Sequence, residues 1–154
     1  MPNWCACTLI VKGQREILEN FAAEAYHHGN DEVNETPFSF EKFLPTPPEL
    51  MKNQGWYDWR VKNWGTKWDA CEVSFDTISE TEIIYNFDTA WGPPVELFTF
   101  IAAMYPTLHF DLNYDIEGGN GAGDLYWFDG ELGAEDAREN FYTDEDEDDD
   151  IEWP

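Results

Sequence analysis

The sequence predicts an α+β domain whose elements run β-α-insertion-β-β-α-β, followed by a fifth strand and an acidic tail. Three observations predict it. Four segments alternate apolar and polar side chains with the period of two that a strand imposes. Two others repeat apolar residues at steps of three and four, the stripe of a helix buried on one face. Prolines and glycines fall between these segments and rarely inside them.

Asn3 to Lys12 reads as the first strand, with Cys5, Cys7, Leu9 and Val11 on one face and Trp4, Ala6, Thr8 and Ile10 on the other. Gly13 ends it. Gln14 to His28 is helical, because Ile17, Leu18, Phe21, Ala22 and Ala25 form one stripe and Gly29-Asn30 closes the last turn. From residue 31 to 66 the periodicity loosens into an insertion. Phe38, Phe40, Phe43 and Leu44 make an apolar cluster there, and Pro45 to Pro48 forbid a continuous helix or a central strand. Pro48 suits the first turn of a short helix through Leu50 and Met51. The segment is too aromatic to lie in solvent as a linker.

Trp68 to Asp76 and Thr81 to Asp88 both alternate, with Thr77 to Glu80 as a hairpin connection. Pro93 or Pro94 opens a second helix whose Leu97, Phe98, Ile101, Ala102 and Tyr105 form its stripe, and Pro106 ends it. Leu108 to Asp115 sets Leu108, Phe110, Leu112 and Tyr114 against His109, Asp111, Asn113 and Asp115. After a glycine-rich turn, Leu125 to Asp129 makes the fifth strand. This order is the ferredoxin-like, split βαβ arrangement. Residues 1–142 are read as the folded domain and 143–154 as the tail.

Composition bounds the function more than it names it. A chain of 154 residues with 17% aromatics can bury a core of large anchors. No apolar run is long enough to cross a bilayer, and Met1-Pro-Asn-Trp lacks the basic and apolar regions of a signal peptide, so a cytoplasmic protein is expected. The formal charge is −25, and it is uneven. Residues 1–75 hold 7 basic and 11 acidic side chains, whereas residues 76–154 hold 1 basic and 22 acidic ones. Phosphate backbones are bound by displacing counterions with Lys and Arg, and this second half has only Arg138. Its partner should be basic or metal-laden, not a nucleic acid.

Motifs that carry chemistry are few. Cys5, Cys7 and Cys71 fit small buried hydrophobes in a reducing compartment, and His27, His28 and His109 add no metal-ligand spacing. Glu117-Gly-Gly-Asn-Gly-Ala-Gly123 has no GK[ST] ending, opens no helix and is flanked by acids, so it reads as a turn or bulge and not a phosphate loop. Five of the eight tryptophans lie between Gly55 and Pro94, with Arg60, Lys62 and Lys67 among them. Trp64-Gly-Thr-Lys-Trp68 could seat Lys67 between two indoles or stack a base or sugar, or it could simply pack, with Asp69 buried against an indole N–H or a backbone amide.

The opening Met1-Pro-Asn-Trp-Cys5, Val11-Lys-Gly13, Phe43-Leu-Pro-Thr-Pro47 with Glu49-Leu50, Trp56-Tyr57 and Trp59-Arg60 form one set of marks. Asn63-Trp-Gly-Thr-Lys-Trp-Asp69, Phe87-Asp-Thr-Ala-Trp-Gly-Pro-Pro94 and Tyr114 with Gly121-Ala-Gly123 form another. Through these the chain resembles the YubB-type ferredoxin-like family, small proteins of phages, plasmids and integrated elements, over about residues 3–125. Cys7 stands where the pattern has Asn, and the acidic tail is an addition to it. The resemblance implies the fold and a mobile-element origin. It implies no activity and no catalytic residues.

The functional expectation is therefore a non-enzymatic acidic protein, without cofactor or metal, that occupies a basic nucleic-acid-binding surface of a host defence complex of the CRISPR or restriction kind. Its partner-binding residues are expected to be Asp111, Asp115, Glu117, Asp124, Asp129, Glu131, Glu135 and Asp136 as the ordered part. Asp144, Glu145, Asp146, Glu147, Asp148, Asp149 and Asp150 would extend the charge as a solvated tail. The alternative is a ligand-binding module or metal-dependent enzyme that uses the Trp64–Trp91 aromatics and the Asp115–Asp124 loop.

Overall fold

The computed structural model describes residues 3–31 and 34–137. Its six strands are β1 (Trp4–Lys12), β2 (Cys71–Ser79), β3 (Glu82–Ala90), β4 (His109–Ile116), β5 (Gly121–Phe128) and β6 (Glu131–Ala137). The helices are α1 (Arg15–Ala25), α2 (Phe40–Phe43), α3 (Gly55–Asn63) and α4 (Val95–Met104), with 3₁₀ turns at Pro48–Lys52 and Glu117–Gly119. The strands form one sheet in the order β2-β3-β1-β4-β5-β6, and every neighbouring pair is antiparallel. β1 and β2 consequently run parallel with β3 between them.

Alternation in β1 decides which face is core. Cys5, Cys7, Leu9 and Val11 are buried, joined by Tyr85 and Phe87 of β3, Phe110 and Leu112 of β4, and Leu125 and Trp127 of β5. α1 and α4 close this face with Leu18, Phe21, Leu97, Phe98 and Ile101. Phe21 is the hub, with its ring 5.3–6.5 Å from those of Phe38, Phe43, Tyr85, Tyr105 and Phe110. Phe38, Phe40 and Phe43 of the insertion thus complete the core, as their density of aromatics requires.

Several boundaries differ from the sequence expectation for identifiable reasons. α1 stops at Ala25 rather than His28, because His27 leaves the helix to bridge Thr36. The β2–β3 hairpin turns on Glu80 and Thr81, not on Thr77 to Glu80, since Thr77 and Ser79 are themselves paired with Ile83 and Glu82. Glu72 at φ 53 makes a bulge that shifts the alternation, so Cys71 faces the side of Asp88 while Phe75 faces that of Tyr85. β5 begins at Gly121, four residues earlier than expected. β6 was not expected at all. Its sequence ELGAEDA offers one large apolar residue, but Asp129-Gly130 before it adopts φ values of 55° and 84°, the two left-handed positions of a tight hairpin.

Candidate functional site

The face of the sheet opposite the helices is open, and the register assembles acids on it. One row across the strands reads Cys71, Asp88, Ala6, Asp115, Ala122. The next reads Ser74, Asn86, Thr8, Asn113, Asp124, Asp136. The third reads Asp76, Ile84, Ile10, Asp111, Tyr126, Ala134. Neighbouring strands lie about 4.8 Å apart and same-face residues along a strand about 6.8 Å. Small residues stand between the acids in these rows, and Ala6 and Asn86 are exposed. Lys12, 3.9 Å from Glu82, is the one lysine or arginine on the described strands of this sheet.

Electrostatics follow from that crowding. The Asp111 carboxyl is raised above the ordinary carboxylate range by desolvation and then by Asp124, with Lys12 pulling the other way. Desolvation, with Glu72 and Glu117, raises Asp88. The Tyr126 phenol is raised by desolvation and by Asp124, Asp111 and Asp136 around it. Asn113 Nδ2 donates to Asp124 Oδ1 at 2.6 Å, which fixes that carboxylate in the row.

The structure brings together part of the expected partner-binding set. Asp111, Asp115, Asp124 and Asp136 share the open face, but Asp115 is buried to 4% exposure. β4 is an interior strand between β1 and β5. Glu117 is buried in the 3₁₀ turn and accepts from Trp4 N at 2.7 Å, so it serves the fold at the corner of the face. Asp129 is a turn residue. Glu131 pairs with Phe128 on the open side, whereas Glu135 pairs with Leu125 and falls on the helix side. Asp144 to Asp150 lie outside the described residues. Asp76, Glu82 and Asp88 belong to the open face and were missed as a group. Each is a polar position of an alternating segment, yet only the strand order shows that β2 and β3 share one face with β1 and β4.

The tryptophan block forms a ladder of rings and cations. Trp4 lies 5.9 Å from Trp68, and Lys67 Nζ sits 4.3 Å from Trp68 and 4.2 Å from Trp91. Tyr57 links Trp91 to Trp56, and Arg60 lies 5.1 Å from Trp56 and 4.8 Å from Trp64. Lys67 is thus held by Trp68 and Trp91, not by Trp64 and Trp68. Trp64 is buried in the core and donates Nε1 to Leu44 O. Arg60 pairs with Glu41 at 3.1 Å. Ring faces that could have stacked a base or a sugar already carry the protein's own cations. Trp91 has φ 74, held there by its N–H on Asn3 O and by Thr66 Oγ1 donating to Ala90 O.

Asp69 accepts from Ser39 Oγ and from the amides of Phe40 and Ala70 at 2.6–2.7 Å, the backbone alternative among its expected partners. Cys5 and Cys7 are buried with their sulfurs 3.9 Å apart, and Cys71 is half-buried. Among the described residues, no group of three His, Cys, Asp or Glu side chains is placed to hold a metal ion, and no helix is long and apolar enough to cross a membrane.

A family model described as a ferredoxin-like domain in Api92-like protein matches residues 63–152. The crystal structure of a protein api92 from Yersinia pseudotuberculosis is similar over 90% of this chain and 98% of that one, with a TM-score of 0.69 and 8% sequence identity. At that identity the likeness shows the fold alone. No curated protein matches the chain.

Proposed function

The chain belongs to the family of ferredoxin-like domains in Api92-like proteins, and from that premise we propose that it is a non-enzymatic binding protein of a phage or plasmid. It acts in the cytoplasm of a bacterial host. It occupies a basic, nucleic-acid-binding surface of a host defence complex, of the CRISPR or restriction kind, in place of DNA or RNA. In this reading the strand order is a split βαβ unit widened by β5 and β6, and the acids from Asp144 to Asp150 add to the negative charge of the chain.

The observation that carries the proposal is the open face itself. Asp76, Asp88, Asp111, Asp124 and Asp136 stand on five strands of one face, with Lys12 the one lysine or arginine on the described strands. A polyanionic surface of this kind steers basic partners and repels phosphate. After desolvation, neighbouring acids also raise Asp88 and Asp111, and the positive charge of a basic groove offsets that repulsion.

The test is recovery of partners from bacterial lysate at low and high salt. Three proteins serve as bait: the full chain, a chain ending at Tyr142, and an Asp111→Asn/Asp124→Asn/Asp136→Asn variant. The expected result is a nucleic-acid-handling complex that is held at low salt, released at high salt and displaced by competing duplex DNA or RNA. Retention should weaken for both altered proteins. A complex that neither salt nor nucleic acid displaces rules the proposal out.

A further inference from the structure

The far edge of the sheet carries a second surface. β2 pairs with β3 and with no other strand among the described residues. Its side chains are exposed from Ser74 to Ser79, including Phe75 at 42% and Ile78 at 50%. Edge strands are ordinarily blunted by proline, by lysine, by bulges or by brevity. This one has nine residues and neither proline nor lysine, and between its two register shifts Ser74 to Thr77 stay in regular pairing with β3.

A groove runs beside it against α1. One cavity of 310 Å³ is lined by Leu18, Ala22, Phe75 and Ile83, among others. A second of 280 Å³ shares Ala22 and Phe75 and reaches Tyr85. Tyr85 lies directly across from Phe75, with the two rings 5.0 Å apart. Its side chain is wholly buried, yet among the described residues its hydroxyl has no hydrogen-bond partner. Native proteins seldom leave a buried hydroxyl unpaired. Burial raises this phenol, so it remains a proton donor.

We propose that β2 accepts an added strand: an extended segment of a partner protein, alternating basic and apolar residues, that seats one side chain between Ala22, Phe75 and Tyr85. Backbone pairing to a sheet edge supplies the affinity in such complexes, and alternate side-chain pockets supply the selectivity. Charge selects the occupant. Glu72, Asp76 and Glu80 lie along the strand and its turn, and Glu19 lies on α1 with Arg15 held to it at 2.9 Å. A second copy of the chain is disfavoured, because two antiparallel β2 edges would set these acids against their own like charges.

The probes are a short synthetic peptide alternating lysine with valine and its glutamate–valine counterpart, each titrated onto the full chain while backbone amide exchange is followed. The lysine peptide should slow exchange between Ser74 and Ser79, and the glutamate peptide should not. Phe75→Ala should weaken binding at least about tenfold through lost apolar contact. Tyr85→Phe, which keeps the shape of the core, should weaken it about fivefold through one hydrogen bond. Glu72→Lys with Asp76→Lys should reverse the preference between the peptides, and Asp124→Asn with Asp136→Asn should leave it unchanged. Protection confined to β4 and β5, no protection by either peptide, or a dimer that protects β2 without peptide would each overturn the proposal. The readout is local to β2, so its failure is distinct from failure of the acidic-face reading.

Discussion

Asp69 joins the insertion to the sheet through a single carboxylate. It stands two residues before β2, yet it takes hydrogen bonds from Ser39 Oγ and the Phe40 amide at the start of α2, as well as from the amide of Ala70. Removing the carboxylate leaves those amides buried and unpaired. Asp69→Ala should therefore cost about 3 kcal/mol in urea denaturation, near the upper end for lost hydrogen bonds to a charged group. A cost below about 0.5 kcal/mol would mean that water replaces the carboxylate. Tyr85 makes the opposite case. Its hydroxyl is buried without a partner among the described residues, so Tyr85→Phe should leave the free protein equally stable or raise its stability by about 1 kcal/mol, read as a higher midpoint at unchanged slope. A loss of stability instead would mean that the hydroxyl is paired in solution and would remove one support of the strand-addition proposal.

At the scale of elements, the sheet edge beyond β5 depends on the two-residue turn at Asp129 and Gly130. Gly130 has φ 84, and a Cβ there would meet nothing closer than 3.5 Å, so a substitution is strained by backbone conformation and not by crowding. Gly130→Ala should cost about 1 kcal/mol, with faster amide exchange in β6 and little change in β1. Unchanged protection of β6 would show that its pairing does not depend on the turn. This turn also marks what the sequence made legible. The strands of the core and both long helices were readable because burial of one face stamps a period on them, and Leu9, Phe21, Phe98 and Leu112 carry it. β6 has no buried face to stamp a period, and it is held by backbone pairing to β5, so only the Asp-Gly pair announced it. The bulge at Glu72 was hidden for a related reason, because one inserted residue leaves the local composition intact while it exchanges the faces beyond it. The candidate site was legible as single polar positions. Its area was not, since Asp88 and Asp115 flank Ala6 only through pairings between residues far apart in sequence.

For the whole molecule, the same charge sets stability and binding in opposite directions. With a formal charge of −25, the folded chain repels itself. Asp88 and Asp111 are raised in the fold, first by desolvation and then by neighbouring acids. A carboxyl whose folded value exceeds its unfolded one binds its proton more tightly in the fold. As pH falls from neutrality through the raised values toward 3.8, the ordinary aspartate value, the folded state therefore takes up protons before the unfolded state does. These two groups make stability rise as pH falls in that window, and their destabilising effect is greatest above it. The melting temperature should accordingly increase as pH falls from neutrality toward the ordinary aspartate range. Added salt at pH 7 should raise it as well, by screening exposed pairs. Asp111→Asn should flatten the pH dependence. A complex with a basic groove must respond with the other sign, because protonation and screening remove the charge that attracts the partner. Thermal melts and binding isotherms over one grid of pH and salt would test the two together. If salt strengthened both the fold and the complex, apolar contact and not the acidic face would hold the partner.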